Sequence, residues 1–371
     1  MMKPSPKQLR RDKLLYVSCH DVEKDPGVEK KIVGMCAAAR ANGFETERIT
    51  EVCKSLDARR RLVDRVAETD AGIIIFRSFG ECGFAVRRRL KKLRAAGHIL
   101  ICDQPSPMTT MFNEINHSGA SFAKRMYNSA MAIYTGPWGF RPYHRVVEYA
   151  PESSFFSWGN RKRLMLCGNG IDVSRVPVRN YDGGTPDGSL RMVGVANTAV
   201  HHGYDRLIKA MAIYNGKHDK KVYFNIIGGN SDSPVIMSLK GLAHDLGMED
   251  YVEFSGFRKQ DFISDAYDRS DLAIGSLGLF RNNLKTSSIL KIREYCLAGI
   301  PFMAAGNDPD FMTDVPFRIV VPNDESIEPI ADAIEEFTKR KDIMTPAEIH
   351  AYAVEHLSLE NKFKQITEGL L

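Results

Sequence analysis

The residues best suited to hold a charged ligand lie within Gly278–Gly306, which reads GLFRNNLKTSSILKIREYCLAGIPFMAAG. Thr286–Ser288 are natural N-caps, so their types predict a helix that begins there. The free backbone amides at such a helix start, with Lys285 and Lys291 close by, would hold a diphosphate. Glu294 lies further into the helix, where it is either a solvated charge or an acceptor for both hydroxyls of a ribose.

A second pattern suited to phosphate follows a predicted strand, Arg191–Ala196. The next residues, Asn197–Leu207 (NTAVHHGYDRL), combine small side chains, a histidine pair and Gly203 at a strand-to-helix junction. Such a junction favours an anion. His201 and His202 are poor partners for one metal ion, because adjacent residues on a helix do not face the same way. We therefore expect no metal site here.

Three candidates in the first half of the chain also follow predicted strands. Gly27, in the loop His20–Val28, would let the backbone approach an anion, although the same loop also suits a plain surface turn. Arg77 either points into a cleft or forms an ion pair between domains. Asp103 either meets a substrate hydroxyl or caps the loop that follows it. The His20–Val28 loop lacks the G-x-G-x-x-G pattern, so this fingerprint gives no support for dinucleotide binding.

The elements that would position these residues alternate between strand and helix. In the first half we predict, in chain order, strand Leu14–Cys19, helix Lys30–Asn42, strand Gly72–Phe76, helix Phe84–Ala96, strand His98–Cys102, helix Ala120–Ala130 and strand Ala132–Tyr134. Regular alternation of this kind predicts a parallel sheet with helices on both faces.

The alternation restarts after Tyr181–Ser189 (YDGGTPDGS), a stretch typical of a linker or an exposed hairpin tip. We predict strands at Arg191–Ala196, Val222–Ile227, Val252–Ser255, Leu272–Gly275 and Pro301–Ala304, with helices at Asp205–Tyr214, Ser233–Leu246, Phe262–Asp268 and Ser288–Leu297. Pro346–Leu371 reads as one amphipathic helix. The sequence thus predicts two α/β domains of Rossmann type that face each other across a cleft, where ligands of such sheets usually bind.

The composition agrees with a chain of this kind. Its 371 residues, 43% of them hydrophobic, suffice for two domains that each bury a core. No apolar run approaches the roughly 20 residues of a membrane span. Met1–Arg10 lacks the apolar stretch of a secretory signal, so we do not expect export by that route. The seven cysteines are scattered without a C-x-x-C pair, which indicates reduced core residues in a cytoplasmic protein.

The charge is divided unevenly along the chain. Residues 1–180 carry 31 Lys and Arg against 18 Asp and Glu, whereas residues 181–371 carry 20 against 28. The two basic stretches, Arg59–Arg65 and Arg87–Arg94, are either solvated helix faces or a surface that docks on an anionic membrane leaflet. We find no motif for nucleic acid and expect no such partner.

Taken together, these stretches resemble the GT-B glycosyltransferases, and specifically the large retaining family four. The resemblance covers most of the chain, and REYCLAGIPF is its most specific piece. The other pieces are IIIFRS (Ile73–Ser78), ILICDQPSP (Ile99–Pro107), GNGIDV (Gly168–Val173), VGVAN (Val193–Asn197), HHGYDRLI (His201–Ile208) and EFSGF (Glu253–Phe257).

The resemblance implies a role for each matching residue. It implies that Glu294 binds the nucleotide ribose and that the segment Ser287–Leu290 offers backbone amides to the diphosphate. The remaining implied donor contacts are Gly256 and Phe257 near the base, Gly27 over the donor phosphates, and His202, Arg206 and Lys291 near the phosphates. Asp103 and Arg77 are the expected catalytic residues, and we expect Asp103 to position the acceptor or to accept its proton. Thr286 stands where the family often has a first glutamate, and the family's usual Arg and Lys in the first loop of the second domain are missing.

The resemblance also implies the organisation and the activity. We expect residues 1–180 to bind the acceptor, residues 181–345 to bind the nucleotide-sugar, and residues 346–371 to form a helix that packs back toward the first domain. The expected activity is sugar transfer, with retention, from a nucleotide diphosphate-sugar, UDP foremost, to a polysaccharide or lipid-linked glycan. We expect no cofactor and no metal, and a cytoplasmic enzyme at the inner membrane face. The alternatives are a nucleotide-sugar epimerase of the same fold and a noncatalytic nucleotide-binding or scaffold protein.

Overall fold

The computed structural model describes residues 8–53, 55–77, 83–108, 121–181, 187–311, 314–340 and 344–371. Ser78, Cys82 and much of the Tyr181–Ser189 stretch lie outside the described residues. The chain divides into two compact units. Unit one contains the described residues up to Gly168 together with Leu359–Leu371, and unit two is Asn169–Ser358.

Unit one is built on six parallel strands in the order β2-β1-β3-β4-β5-β6. They are β1 (Arg10–Cys19), β2 (Glu45–Glu51), β3 (Ala71–Arg77), β4 (Ile99–Gln104), β5 (Arg145–Glu148) and β6 (Leu164–Leu166). Every residue of β3 (AGIIIFR) is buried, as expected of a strand covered on both faces. The sequence does not predict β2 (ETERITE), because this edge strand is polar and only partly buried.

Unit two repeats the architecture in the order β12-β11-β10-β7-β8-β9. Its strands are β7 (Leu190–Val195), β8 (Val222–Ile227), β9 (Val252–Gly256), β10 (Leu272–Ile274), β11 (Phe302–Ala305) and β12 (Arg318–Val321). All the pairings between neighbours are parallel. The predicted pair of parallel α/β domains is therefore confirmed.

Twelve helices of the described residues cover these sheets. They are α1 (Pro26–Ala41), α2 (Leu56–Val66), α3 (Phe84–Ala95), α4 (Phe122–Thr135), α5 (Ser154–Ser157), α6 (Tyr204–Lys217), α7 (Pro234–Asp245), α8 (Gln260–Asp268), α9 (Leu290–Ala298), α10 (Glu328–Lys339), α11 (Pro346–Leu357) and α12 (Leu359–Thr367). Within the described ranges, every helix is too short or too polar to span a bilayer.

The cores lie on both faces of each sheet, because successive strand residues point to opposite sides. In β1, Leu14 and Tyr16 belong to one buried cluster of unit one, whereas Leu15 and Val17 belong to the other. Cys36, Cys102, Cys167 and Cys296 are buried, and the described cysteines form no disulfide.

Two predicted elements are wrong. Ala132–Tyr134, predicted as a strand, lies inside α4, because the helix continues to Thr135. Pro346–Leu371 is two helices that separate at Ser358. The second of them belongs to unit one, where Phe363 packs edge-on against Phe44 with ring centroids 5.3 Å apart.

Candidate functional site

The strand order of unit two defines where a ligand would bind. From β7 the chain adds β8 and β9 on one side, and then crosses to place β10 on the other side of β7. The switch point therefore lies between the carboxyl ends of β7 and β10. Open parallel sheets bind ligands at this position.

Tyr295 anchors α9 at the switch point. Its fully buried hydroxyl accepts the Val195 amide, 3.0 Å away, and donates to the Ile274 carbonyl, 3.2 Å away. One side chain thus joins the last residue of β7 to the last residue of β10. The sequence alone predicts no role for this tyrosine, since nothing in its spacing indicates that contact.

Two predicted residues, Lys291 and Glu294, lie together near the amino end of α9. Lys291 Nζ donates to Glu294 Oε2 over 2.9 Å. The Glu294 side chain is 18% exposed, so its carboxylate is partly shielded but open to a ligand. A positive charge and an acceptor carboxylate are therefore next to each other. Glu294 directly precedes Tyr295, the residue that joins β7 to β10 at the switch point.

The helix itself begins two residues later than predicted. Its N-cap is Ile289, which has no side-chain oxygen to cap an amide. Ser287 donates its amide to the Asn307 carbonyl over 3.0 Å. Ser288 is held by Asn169: its Oγ accepts the Asn169 amide and its carbonyl accepts Asn169 Nδ2, both at 2.6 Å. The predicted caps therefore join neighbouring loops, and the Leu290 and Lys291 amides in the first turn of α9 have no partner among the described residues.

Arg293 ties the same loops to α9 from the inside. It is fully buried, and its guanidinium pairs with Asp308 and Asp310 and donates to the Asn169 carbonyl. The charges of these carboxylates keep the arginine protonated despite burial. Asn169 is thus fixed from both sides, by Ser288 and by Arg293.

The loop after β7 forms a second wall of this edge. Its 3-10 turn, Val200–His202, ends at Gly203 with φ +66°. A Cβ on Gly203 would lie 2.7 Å from the backbone of Leu277 and Gly278, so only glycine allows this close approach. The Leu277 amide donates to the His202 carbonyl over 2.8 Å, which joins the loops that follow β7 and β10.

His202 is a neutral side chain at pH 7. Burial, reinforced by neighbouring His201, lowers the pKa of His202 to about 4. In the shorter of its two contacts with Ala199, Nδ1 accepts the backbone amide at 2.9 Å, which leaves the proton on Nε2. The imidazole can therefore donate a hydrogen bond to a ligand but adds no positive charge.

Arg206 is not accessible to a ligand at this edge. It is fully buried in α6 and donates to the backbone carbonyls of Leu277, Pro322 and Ser326. These carbonyls occupy the guanidinium, so the expected contact with phosphate is corrected to a structural role. Sequence alone could not separate the two roles, because both use the same cation near the start of a helix.

Thr198 is a further candidate, which the sequence alone does not indicate. It is buried in the loop after β7, yet its Oγ1 has no hydrogen-bond partner among the described residues. A Cβ on Gly229, in the loop after β8, would lie 3.2 Å from that oxygen. Buried hydroxyls are normally paired, so an unpaired one at this edge points to a ligand.

Gly256 and Phe257 end β9 at the same edge. The Gly228 amide donates to the Gly256 carbonyl over 2.7 Å, which links them to the loop after β8. Phe257 is 87% exposed. An exposed ring at the end of a strand offers a flat apolar face, as a nucleotide base requires.

The predicted residue Gly27 lies in unit one. It is exposed in the first turn of α1, which begins at Pro26, earlier than predicted, and a Cβ at Gly27 would meet nothing within 4 Å. The position therefore has open space for a ligand. Its contact with donor phosphates stays a prediction.

Asp103 and Arg77 are at the centre of a buried network in unit one. Asp103 Oδ2 accepts hydrogen bonds from Arg77 and Tyr16, both at 2.5 Å, and Oδ1 accepts one from Tyr149 at 2.7 Å. Lys31 Nζ lies 3.9 Å from the carboxylate and 3.6 Å from the centre of the Tyr149 ring.

The network also fixes the charges. Burial alone would raise the pKa of Asp103, but the Arg77 and Lys31 charges and the two tyrosine hydroxyls outweigh it and lower that pKa. Burial lowers the pKa of Lys31 to about 7, although the negative charge of Asp103 acts to raise it. A carboxylate with both oxygens bonded and a depressed pKa is a poor proton acceptor. The arrangement favours a structural role for Asp103 and Arg77 over the predicted contact with an acceptor.

Comparison with solved structures identifies the architecture. HepE of Anabaena, solved in complex with UDP, matches with a TM-score of 0.59 at 16% identity, over 96% of this chain and 99% of that one. A glycosyltransferase from Rickettsia africae matches with a TM-score of 0.59 at 14% identity, over 97% and 100% of the two chains.

A third match is WaaG, a glycosyltransferase involved in lipopolysaccharide biosynthesis, with a TM-score of 0.56 at 14% identity over 96% and 100% of the chains. No protein family model matches the sequence, and no curated protein matches it. Both parallel sheets and the length of these matches lead to the same conclusion: the chain has the GT-B fold of glycosyltransferases.

Proposed function

We propose that the protein is a glycosyltransferase that takes a sugar from a nucleotide diphosphate-sugar, with UDP as the nucleotide. The observation that carries this proposal is the position of α9, whose Tyr295 spans the switch point while Lys291 and Glu294 lie near its amino end. HepE, which has the same fold, has been solved with UDP and with UDP-glucose, which supports the choice of donor.

Each side chain then has a task that follows from its chemistry. The first-turn amides of α9 and the Lys291 ammonium bind the diphosphate. Glu294 accepts hydrogen bonds from the ribose hydroxyls. Phe257, beside Gly256, offers its exposed ring to the base, and neutral His202 donates a hydrogen bond to a phosphate oxygen.

The transfer step depends on the leaving group. As the sugar separates, it develops oxocarbenium character, and negative charge grows on the departing diphosphate. The helix amides and Lys291 stabilise that charge where it develops. No described side chain is assigned as a nucleophile, so we propose retention by front-face attack, in which the leaving phosphate assists the incoming hydroxyl. The proposed acceptor is a polysaccharide or a lipid-linked glycan, at the cytoplasmic face of the membrane.

The test is product analysis with a panel of UDP-sugars, with and without a lipid-linked glycan acceptor. We expect one donor to release UDP much faster when the acceptor is present, and the glycan to gain one sugar. Glu294→Ala should abolish this turnover, whereas Glu336→Ala, an exposed carboxylate of α10, should leave it unchanged.

Two other results would each contradict the proposal. Conversion of one UDP-sugar into its epimer without any acceptor would identify an epimerase. Stabilisation by UDP in a thermal-shift assay without transfer or hydrolysis of any donor would identify a noncatalytic nucleotide-binding protein.

A further inference from the structure

The basic stretches of unit one form a groove between two helices. Helices α2 and α3 enclose a groove of about 450 Å³. Its apolar floor includes Val63, Ala67 and Leu93, and its rim includes Arg88, Arg89 and Lys92. The groove arises because Val86, Leu90 and Leu93 are buried at helical spacing, which turns the cations of α3 outward.

Three of the four arginines of α2 already have acidic partners. Arg60 and Arg61 both pair with Asp57, and Arg65 pairs with Glu51. These side chains form solvated ion pairs. For α2 this agrees with a solvated helix face rather than a membrane-docking surface.

The cations of α3 differ from those of α2. Arg89 pairs at 2.5 Å with Asp64, which is the only acidic residue among the described residues that line the groove. Arg88 and Lys92 are exposed one helical turn apart and form no ion pair with the described residues. Two uncompensated positive charges on one edge of a groove are a site for a phosphate group.

Exposed apolar side chains adjoin this charged edge. Phe84, in the first turn of α3, is 58% exposed, and its amide donates to the Tyr134 hydroxyl at 3.3 Å. This contact joins α3 to the end of α4, where Tyr134 is 51% exposed and Ile133 is 71% exposed. Large apolar side chains gathered in this way on a surface mark a contact with another molecule.

We propose that the surface formed by Phe84, Arg88, Lys92, Ile133 and Tyr134 docks on an anionic phospholipid bilayer. The lipid phosphates bind between Arg88 and Lys92, and the aromatic and aliphatic side chains enter the boundary between head groups and acyl chains. The charge pattern selects an anionic partner, and Ile133 beside two aromatic rings selects an apolar one. Nucleic acid also supplies phosphates, but it has no apolar layer like the acyl chains of a bilayer in which Ile133 could be buried.

This docking surface deepens the proposed membrane location and does not depend on the donor chemistry. The test is co-sedimentation of the full chain, without nucleotide, with two kinds of vesicle: phosphatidylcholine alone, and an equimolar mixture of phosphatidylcholine and phosphatidylglycerol. We expect strong binding to the mixed vesicles and little to the neutral ones. The Arg88→Glu/Lys92→Glu variant should bind the mixed vesicles at least about tenfold more weakly, since each basic residue near the surface contributes to the attraction.

Two further variants separate the parts of the proposal. Phe84→Ser/Ile133→Ser keeps the charge and should weaken binding to mixed vesicles severalfold. Lys217→Glu/Lys364→Glu makes the same change in net charge at exposed lysines on other helices and should bind like the wild type. All four residues of the two surface variants are exposed, so their circular dichroism and UDP binding should be unchanged.

Several results would overturn the proposal. One is equal binding of the wild type to both kinds of vesicle. Another is a loss of binding in Lys217→Glu/Lys364→Glu as large as that in Arg88→Glu/Lys92→Glu. A third is unchanged binding of Phe84→Ser/Ile133→Ser to the mixed vesicles. Tighter binding to an oligonucleotide than to mixed vesicles, lost in Arg88→Glu/Lys92→Glu, would assign the groove to nucleic acid instead. Because no arm measures sugar transfer, an inactive enzyme would leave these outcomes unaffected.

Discussion

Individual side chains at the switch point of unit two differ in how completely their hydrogen bonds are satisfied. Arg206 and Arg293 are surrounded by acceptors and therefore hold loops together. Lys291 and Glu294 share one contact and stay partly exposed. Thr198 Oγ1 has no partner within the described residues. Burial with satisfied bonds marks structural residues, whereas an unsatisfied or shared bond marks residues for a ligand.

This distinction gives a prediction for Thr198. Thr198→Val keeps the shape but removes the hydroxyl, so it should weaken UDP binding about fivefold or more, as expected for one lost hydrogen bond. The free energy of unfolding should not fall, because the wild type has an unpaired buried oxygen there. Calorimetric titration and urea denaturation measure the two effects. Thr198→Ser, which keeps the hydroxyl, is the control, and UDP affinity in the valine variant equal to that of the wild type would show that the oxygen meets no ligand.

Glu148, at the end of β5, provides a test of pH dependence. Burial, with the charge of Glu152, raises the pKa of Glu148 from 4.5 to about 8. Between these values the unfolded chain releases the proton while the folded protein keeps it, so the stability of the fold falls as pH rises. Glu148→Gln should remove this loss and be more stable than the wild type at pH 8, by about 2 kcal/mol or more. Urea denaturation at a series of pH values measures it, and parallel curves for the two proteins would refute the assignment.

At the scale of elements, the loops that follow β7, β8, β9 and β10 form one connected edge through backbone contacts. The Gly228 amide bonds to the Gly256 carbonyl, and the Leu277 amide bonds to the His202 carbonyl. Gly228 also lies against the Ala196 carbonyl oxygen of the loop after β7, where a Cβ would not fit. The edge is thus rigid where backbones meet, which suits a preorganised ligand site.

Two glycines of this edge form a matched pair for a stability test. Gly203 and Gly256 have almost the same φ, +66° and +65°, but a Cβ would meet backbone 2.7 Å away at Gly203 and nothing within 4 Å at Gly256. Gly256→Ala should therefore cost about 1–2 kcal/mol of unfolding free energy for the left-handed backbone alone. Gly203→Ala should cost at least about 2 kcal/mol more, because its methyl group displaces a neighbouring loop. Equal losses in urea denaturation would contradict the contact.

The sequence was informative about elements and less so about individual contacts. The apolar run of β3 and the spacing of α3 predict their own positions, because burial alone determines them. The edge strand β2 escaped detection, since its polar residues resemble those of a loop. The motif REYCLAGIPF led to Glu294, but the part played by its neighbour Tyr295 depends on two strand ends that are distant in sequence.

The same limit explains the residues whose predicted roles changed. Asp103 and Arg77 follow strands, as binding residues do, and only the positions of Tyr16, Tyr149 and Lys31 reveal that their charges are already satisfied. Ser287 and Ser288 are residues that cap helices, yet Asn307 and Asn169 bind them before the helix begins. In each case a partner remote in the chain decided the role.

At the scale of the whole molecule, two parallel α/β units have separate cores and different surfaces. Unit two carries the candidate donor site at its switch point, and unit one carries the basic and apolar surface on α3 and α4. The uneven charge along the sequence corresponds to this division, with a net +13 for residues 1–180 and −8 for residues 181–371. We therefore propose that unit two binds the nucleotide and that unit one docks on the membrane.

The central claim is that unit two binds a nucleoside diphosphate at the amino end of α9. The most direct test is calorimetric titration of the protein with UDP and the other nucleoside diphosphates, for the wild type, Glu294→Ala and the control Glu336→Ala. We predict that UDP binds the wild type and the control with equal affinity. UDP should bind Glu294→Ala at least about 30-fold more weakly, because hydrogen bonds to a charged group are lost. If Glu294→Ala keeps the wild-type affinity for every nucleoside diphosphate, the claim is wrong.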